Sequence, residues 1–177
     1  MLPGIAIANL ILIGLALSVT STDGQQVGFQ SSYMPAVYED AGDPHFKSNV
    51  DQAMSCLKES YPEYYLSVSY WIKEIRPTDT YTRINNHGIC YINKNDSRAS
   101  HYWLAGVLIH EARHVEDDNT YFLHHDYSPE ISEKSALTVQ AEFLGSLNGW
   151  TDEQEQNWIN KHFMTRYWET IPAKYNK

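Results

Sequence analysis

The feature that most constrains this chain is a long helical pattern that carries two histidines one turn apart. The pattern begins at Asn95-Asp96-Ser97, which predicts a helix cap, and it runs at least to Val115. Its apolar residues follow the 3.6-residue helical period: Trp103, Leu104, Val107, Leu108 and Ala112. His110 and His114 are four residues apart, so they lie on one face of this helix. The fold must therefore satisfy two neighbouring imidazoles, either with hydrogen bonds or with a metal ion.

The residue types on this helix suit a zinc site with a general base. Two imidazoles one turn apart can bind a single zinc ion at about 2.0 to 2.1 Å. Glu111 adjoins the first imidazole, where its carboxylate can reach a zinc-bound water without binding the ion. Zinc lowers the pKa of that water toward about 7, and a carboxylate can then take its proton during attack on a carbonyl carbon. The pattern predicts His110 and His114 as ligands of one zinc ion per chain, with Glu111 as the catalytic base. The alternative is an amphipathic helix with half-buried, hydrogen-bonded histidines.

The motif His110-Glu111-Ala112-Arg113-His114 resembles the active-site motif of the zincin metallopeptidases. Residues 98–147 resemble the active-site helix and the following helix of that family, more loosely those of its glutamate-ligand, gluzincin-like branch. The metzincin branch would place Gly and His where this chain has Asp117 and Thr120. The resemblance implies a zincin-like fold and a zinc-dependent peptide hydrolase. It also implies an extended substrate that lies antiparallel to an edge strand, here residues 88–93.

Five residues are candidates for the third zinc ligand: Glu133, Glu142, His124, His125 and Asp126. A helical projection places Glu133 on the inward face of its predicted helix. The residues within about 60° of it are Ala136, Leu137, Gln140, Leu144 and Leu147. Glu142 projects near 180° from Glu133, on the solvent side (roughly, at 100° per residue). In an antiparallel helix pair Glu133 would lie level with the two histidines, so it is the predicted ligand. Otherwise it is a first-turn acid favoured by the helix dipole.

Three more side chains receive predicted roles. Tyr127, or His125 if it is not a ligand, is a candidate donor to the developing oxyanion. Arg113 is expected to point away from the zinc and to pair with an acid. The resemblance would place an acid that orients a ligand imidazole at Leu137, so Gln140 is expected to take that role.

The order of the predicted elements indicates an α+β fold. A helix over residues 49–60 precedes a strand over 65–75, a turn over 76–80, and two β segments between 81 and 93 broken at 85–88. The helix with the histidines follows, and then a polar connection over 117–127. A helix that begins at Ser128 runs to Leu147, and a last helix begins at Thr151 and ends before Pro172. This order predicts a small antiparallel or mixed sheet packed on three to four helices.

The N-terminal segment predicts export. Residues 2–19 carry no charge, and small or short residues follow at 19–21, as a signal peptidase requires. Residues 1–21 are therefore predicted to be a signal peptide, residues 22–46 a flexible arm, and residues 47–177 one catalytic domain. The first basic side chain is Lys47, so an uncleaved membrane anchor formed by residues 2–19 is the alternative. The expected location is secreted, periplasmic or extracellular.

The chain has two cysteines, Cys56 and Cys90. In an exported protein such a pair predicts one disulfide, here between a helix and a strand. The alternative is a thiolate that binds zinc or acts as a nucleophile, although close Cys or His spacing is absent.

Charge and composition restrict the partners. The formal net charge is −9, and the 13 Lys and Arg residues do not cluster, which argues against nucleic acid as a partner. The expected partner is a peptide or protein substrate, and the expected state is a monomer with no membrane contact beyond the possible anchor. The rival hypothesis is a secreted binding or toxin-like module with a structural or degenerate zinc site.

Overall fold

The fold is described for residues 34–38, 42–121 and 128–164 by a computed structural model. The helices are α1 Phe46–Ser60, α2 Pro62–Trp71, α3 Lys94–Arg98, α4 His101–Tyr121, α5 Pro129–Asn148 and α6 Asp152–Phe163. The strands are β1 Ala36–Val37, β2 Glu74–Thr78, β3 Arg83–Ile84 and β4 Ile89–Asn93. The predicted α+β class is confirmed, and the described ranges hold six helices where three to four were expected.

The four strands form a mixed sheet in the order β1-β2-β4-β3. Strands β1, β2 and β4 are parallel, and β3 pairs antiparallel with β4. The expectation that residues 88–93 form an edge strand is therefore wrong, because β4 pairs on both sides. Within the described residues β3 is the edge strand on that side, and it packs against α4.

One face of the sheet forms the hydrophobic core together with α1, α2, α4 and α5. Ile75 and Ile84 both pair with Cys90, and side chains that pair directly share one face of a sheet. Ile75 and Cys90 are fully buried there, and Leu104 and Leu108 of α4 are buried in the same core. The helix that carries the two histidines is thus fixed in place by apolar packing along much of its length.

The segment predicted as a strand over 65–75 is instead helix α2, followed by β2. The predicted end of the first helix at residue 60 is confirmed, and Pro62 then begins α2, since the first helical position needs no backbone N–H. The strand prediction rested on the alternation of Leu66, Val68 and Tyr70 with other residues, but Leu66 and Tyr70 are 51% and 64% exposed. The buried residues Tyr65 and Val68 follow the helical period instead.

The turn predicted over 76–80 is wrong in its first half, because residues 76–78 belong to β2. Pro77 pairs with Ile92 of β4, whereas the described part of β1 pairs only with Glu74 and Ile75. Proline has no backbone N–H, and at Pro77 the strand β2 has no pairing with β1 that would need one. A proline is tolerated in a sheet at such a position.

The helix predicted to run unbroken from residue 95 is divided into α3 and α4. The Asn93 side chain caps α3 by accepting hydrogen bonds from the backbone N–H groups of Asn95 and Asp96. Ala99 is extended, and the Ser100 hydroxyl then accepts from the N–H of Trp103 (3.2 Å) to begin α4. Helix α4 continues to Tyr121, so residues 117–121 are helical and not part of the predicted connection.

The predicted ends of α5 are confirmed. Ser128 is the N-cap and its hydroxyl accepts from the N–H of Ile131 (3.3 Å), with Pro129 in the first turn. Gly149 ends the helix in the left-handed conformation, with φ of 65°. The predicted start of α6 at Thr151 is also correct, because Thr151 and Gln154 form a capping box.

The predicted disulfide is absent. Cys56 and Cys90 are both free thiols. Cys90 of β4 is fully buried in the core. Cys56 is only half-buried, among the surface residues Gln52, Ser55 and Glu59 of α1. Burial raises the pKa of both thiols, so neither has the low pKa of a reactive cysteine.

The predicted signal peptide lies outside the described residues, as does most of the predicted arm. Residues 36 and 37 of that arm form β1 and pair with β2. In the described ranges, every helix is too short or too polar to cross a membrane.

We predict that two glycine-to-alanine substitutions differ in their effect on stability. Gly88 has φ of 77°, and a Cβ atom there would lie 2.5 Å from the carbonyl oxygen of Trp71. Gly149 has a similar φ, but a Cβ would meet nothing within 4 Å. Gly149→Ala should cost about 1 kcal/mol for the left-handed backbone alone. Gly88→Ala should cost about 3 kcal/mol, because a steric clash adds to that term. Urea denaturation measures the free energy of unfolding of both variants. Equal decreases would show that Gly88 is not confined against the end of α2.

Candidate metal centre

Helices α4 and α5 lie antiparallel, and this arrangement creates the site. Contacts between them run in opposite directions along the two helices: His114 meets Ser132, and Gly106 lies beside Phe143. The predicted antiparallel pair thus brings the first turn of α5 level with the middle of α4. Glu133 is 3% exposed at this level, on the inward face that the sequence predicted.

Three side chains converge between the helices: His110, His114 and Glu133. The two imidazole Nε2 atoms are 3.0 Å apart. The Glu133 carboxylate lies 3.7 Å from the His110 nitrogen through Oε1 and 3.4 Å from the His114 nitrogen through Oε2. Ligand atoms about 2.05 Å from a tetrahedral zinc ion are about 3.3 Å from one another. The three measured separations lie around that value, so the nitrogen and oxygen donors present fit a zinc ion.

One imidazole is oriented by a polar residue of α5. His114 hydrogen-bonds through Nδ1 to the Ser132 hydroxyl (2.8 Å), which leaves Nε2 to face the other two groups. Gln140 lies near His110 and acts to raise its pKa, but the Nδ1 atom of His110 is buried with no hydrogen-bond partner among the described residues, so the orienting role predicted for Gln140 stays a prediction. Partners of this kind fix the ring and the tautomer of a metal-binding histidine.

Burial and neighbouring charges set the protonation of the two histidines differently. Burial and the adjacent His114 lower the pKa of His110 to about 4, against the opposing effects of Glu133 and Gln140. His110 is therefore a neutral imidazole, as a metal ligand must be. Burial also lowers the pKa of His114, but Glu133 and other carboxylates outweigh it, and the net shift is upward.

Glu111 lies beside these groups but is not one of the three that converge. Its side chain is 4% exposed, and burial raises its pKa to about 7. His114 and Arg83 of the edge strand lower this pKa, whereas Glu133 and Asp96 raise it. A carboxylate with a pKa near neutrality can both accept and return a proton.

The other ligand candidates separate into two groups. Glu142 is exposed, as its predicted position on the solvent face requires. His124, His125, Asp126 and Tyr127 lie outside the described residues, so their predicted roles stay predictions.

Arg113 pairs with an acid, as predicted. Its Nε atom is 2.7 Å from Oδ1 of Asp117 and 3.0 Å from the hydroxyl of Ser135. Sequence reasoning did not identify Asp117, Ser132 or Ser135. Ser132 adjoins the predicted ligand Glu133, and Asp117 is one turn from Arg113, but such spacings are common and carry little information.

Searches of protein-family models, of curated proteins and of solved structures found no match to this chain. The candidate centre therefore rests on its own residues and geometry.

We predict that zinc binding depends on the three converging residues and not on Glu142. His110→Ala or His114→Ala should abolish zinc binding, and Glu133→Gln should weaken it at least about 100-fold, since even outer partners contribute 10- to 100-fold. Glu142→Gln on the same helix is the matched control and should bind zinc as the unaltered protein does. Competition with a chromophoric chelator measures each affinity. Unchanged affinity in Glu133→Gln would exclude it as a ligand and favour one of the residues at 124–126.

Proposed function

We propose that this protein is a zinc-dependent peptidase of the zincin type. The observation that carries the proposal is the convergence of two imidazole nitrogens and one carboxylate at separations that suit a tetrahedral ion. A zinc ion held there by His110, His114 and Glu133 would polarise a substrate carbonyl and acidify a water molecule.

The arrangement of charge supports a bound cation. Glu133 and Glu111 are both nearly fully buried, and of the two imidazoles only His114 has a raised pKa, so at most one imidazolium lies beside two carboxylates. Burying carboxylates costs free energy unless a charge partner or hydrogen bonds compensate. A divalent cation between α4 and α5 would supply that compensation directly.

Glu111 is the proposed catalytic base. It accepts a proton from the attacking water and later returns it to the leaving amine, for which a pKa near 7 is suited. Its position next to His110 in the chain places it beside the ligands without making it a member of the converging group. Ser132 holds the His114 imidazole in the orientation that the reaction needs.

The edge strand β3 is the proposed place for the substrate backbone. Among the described residues β3 is the edge strand next to α4, so an extended peptide can pair with it and lie close to Glu111. This replaces β4, which the sequence suggested and which is paired on both sides.

A closed structural zinc site is the alternative, as in a binding or toxin-like module. Structural zinc sites have four protein ligands, whereas peptidases leave one position open. In the described ranges, three side chains form a group of this kind, the number of protein ligands that a catalytic site uses.

We also propose that the protein is exported. The support is the uncharged segment of residues 2–19 followed by short residues, which is typical of a signal peptide. The free thiols of Cys56 and Cys90 add no support to this proposal, which rests on residues 2–19 alone.

We predict that Glu111→Gln retains zinc but loses peptidase activity. The amide is close in size to the carboxylate but cannot take a proton, so the rate should fall about 10²- to 10⁴-fold or more. Hydrolysis of fluorescein-labelled unfolded casein measures activity, and a chelator competition measures bound zinc. Glu130→Gln, an exposed acid in the first turn of α5, is the control and should keep both. Wild-type hydrolysis by Glu111→Gln would refute the role of the base, and zinc binding without any hydrolysis by the unaltered protein would favour the structural site.

A further inference from the structure

Two adjacent residues of α4 form hydrogen bonds with α5, one on either side of Glu133. His114 hydrogen-bonds to Ser132 (2.8 Å), and Arg113 donates from Nε to the hydroxyl of Ser135 (3.0 Å). Ser132 precedes the predicted ligand Glu133 by one residue, and Ser135 follows it by two. The carboxylate that completes the candidate centre is therefore bracketed by two polar contacts between the helices.

Arg113 is itself anchored by a buried acid. Its Nε atom lies 2.7 Å from Oδ1 of Asp117, one turn further along α4, and Asp117 is only 1% exposed. A second acid, Glu116, lies 3.6 Å from the guanidinium. An exposed ion pair is weak and mobile, but a buried carboxylate strongly favours keeping its cation. The guanidinium that meets Ser135 is thus held in one place from the side of α4.

A polar contact at this position fixes the relative rotation and translation of the two helices more strictly than apolar packing does. Helices packed through apolar side chains can slide or rotate slightly at small cost, because such contacts have little directionality. Metal ligands tolerate displacements of only about 0.2 Å. One hydrogen bond between two helices fixes a point, whereas two contacts three residues apart fix both the rotation and the translation of that turn.

We infer that Arg113 and Ser135 are positioning residues that set the first turns of α5 so that Glu133 reaches the metal. This inference rests on the proposed metal site. Ser132 acts differently, because it orients His114 directly. Arg113, anchored by Asp117, acts through the backbone of α5.

The test is the zinc affinity of Ser135→Ala against a matched serine variant. Ser146 also lies on α5, but its hydroxyl donates to the carbonyl of Phe143 in its own helix (2.7 Å). Ser135→Ala should weaken zinc binding about tenfold, the scale of an outer partner of a metal ligand. Ser146→Ala should bind zinc within about twofold of the unaltered protein, and the two variants should unfold at similar urea concentrations.

A conservative variant separates positioning from a general packing effect. Ser135→Thr keeps the hydroxyl and should bind zinc within about threefold of the unaltered protein. Arg113→Met is the less useful variant, because it leaves Asp117 buried without its cation and can prevent folding. Ser135→Ala with unaltered zinc affinity would overturn the inference, as would a loss of affinity that Ser146→Ala shares.

A measurement on zinc-free protein distinguishes failure of this inference from failure of the proposed function. Amide hydrogen exchange at residues 131–135 should be faster in Ser135→Ala than in Ser146→Ala, because the first turns of α5 lose an anchor. Equal exchange in the two variants overturns the positioning role. If the unaltered protein binds no zinc, the proposed function fails, and the exchange result still decides whether Arg113 and Ser135 fix the position of Glu133.

Discussion

The structure depends on one constraint: three ionisable side chains meet in the buried contact between α4 and α5. The nitrogens of His110 and His114 are 3.0 Å apart, and the Glu133 carboxylate is within 3.7 Å of both. An apolar contact between helices would be simpler and would avoid the cost of burying charge. A metal ion bound there would explain why such groups are gathered at this point, because coordination would compensate the cost of their desolvation.

The rest of the fold supplies what this contact needs. The sheet and α1 pack against α4 and fix its position, so that the two histidines are presented from a rigid element. Helix α5 brings the carboxylate, with Ser132 as the partner of the His114 imidazole. Strand β3, the edge strand among the described residues, packs against α4 on the side of the sheet where Arg83 acts on Glu111.

Much of the centre could be predicted from the sequence, whereas the sheet could not. The shared face of His110 and His114 follows from the period of α4, and the inward position of Glu133 follows from the period of α5, which tertiary contacts rarely override in long segments. The strand predicted around Tyr65 is wrong because the alternation of this segment fits both a strand and a helix. Only packing against α4 decides between the two. The prediction that residues 88–93 form an edge strand is wrong because strand order is a long-range property that local patterns do not encode. Ser135 was missed because its partner Arg113 lies on the neighbouring helix. Asp117 was missed because its one-turn spacing from Arg113 is too common to be informative.

The most direct test of the central claim is X-ray absorption at the zinc edge of the purified protein, with and without a small thiol. The account predicts two imidazole nitrogens and oxygen ligands at about 2.0 to 2.2 Å, with one position open to exchange. Added thiol should then replace the exchangeable ligand and introduce one zinc–sulfur distance of about 2.3 Å. Four protein ligands that the thiol leaves unchanged, or a protein that takes up no zinc, would contradict the account.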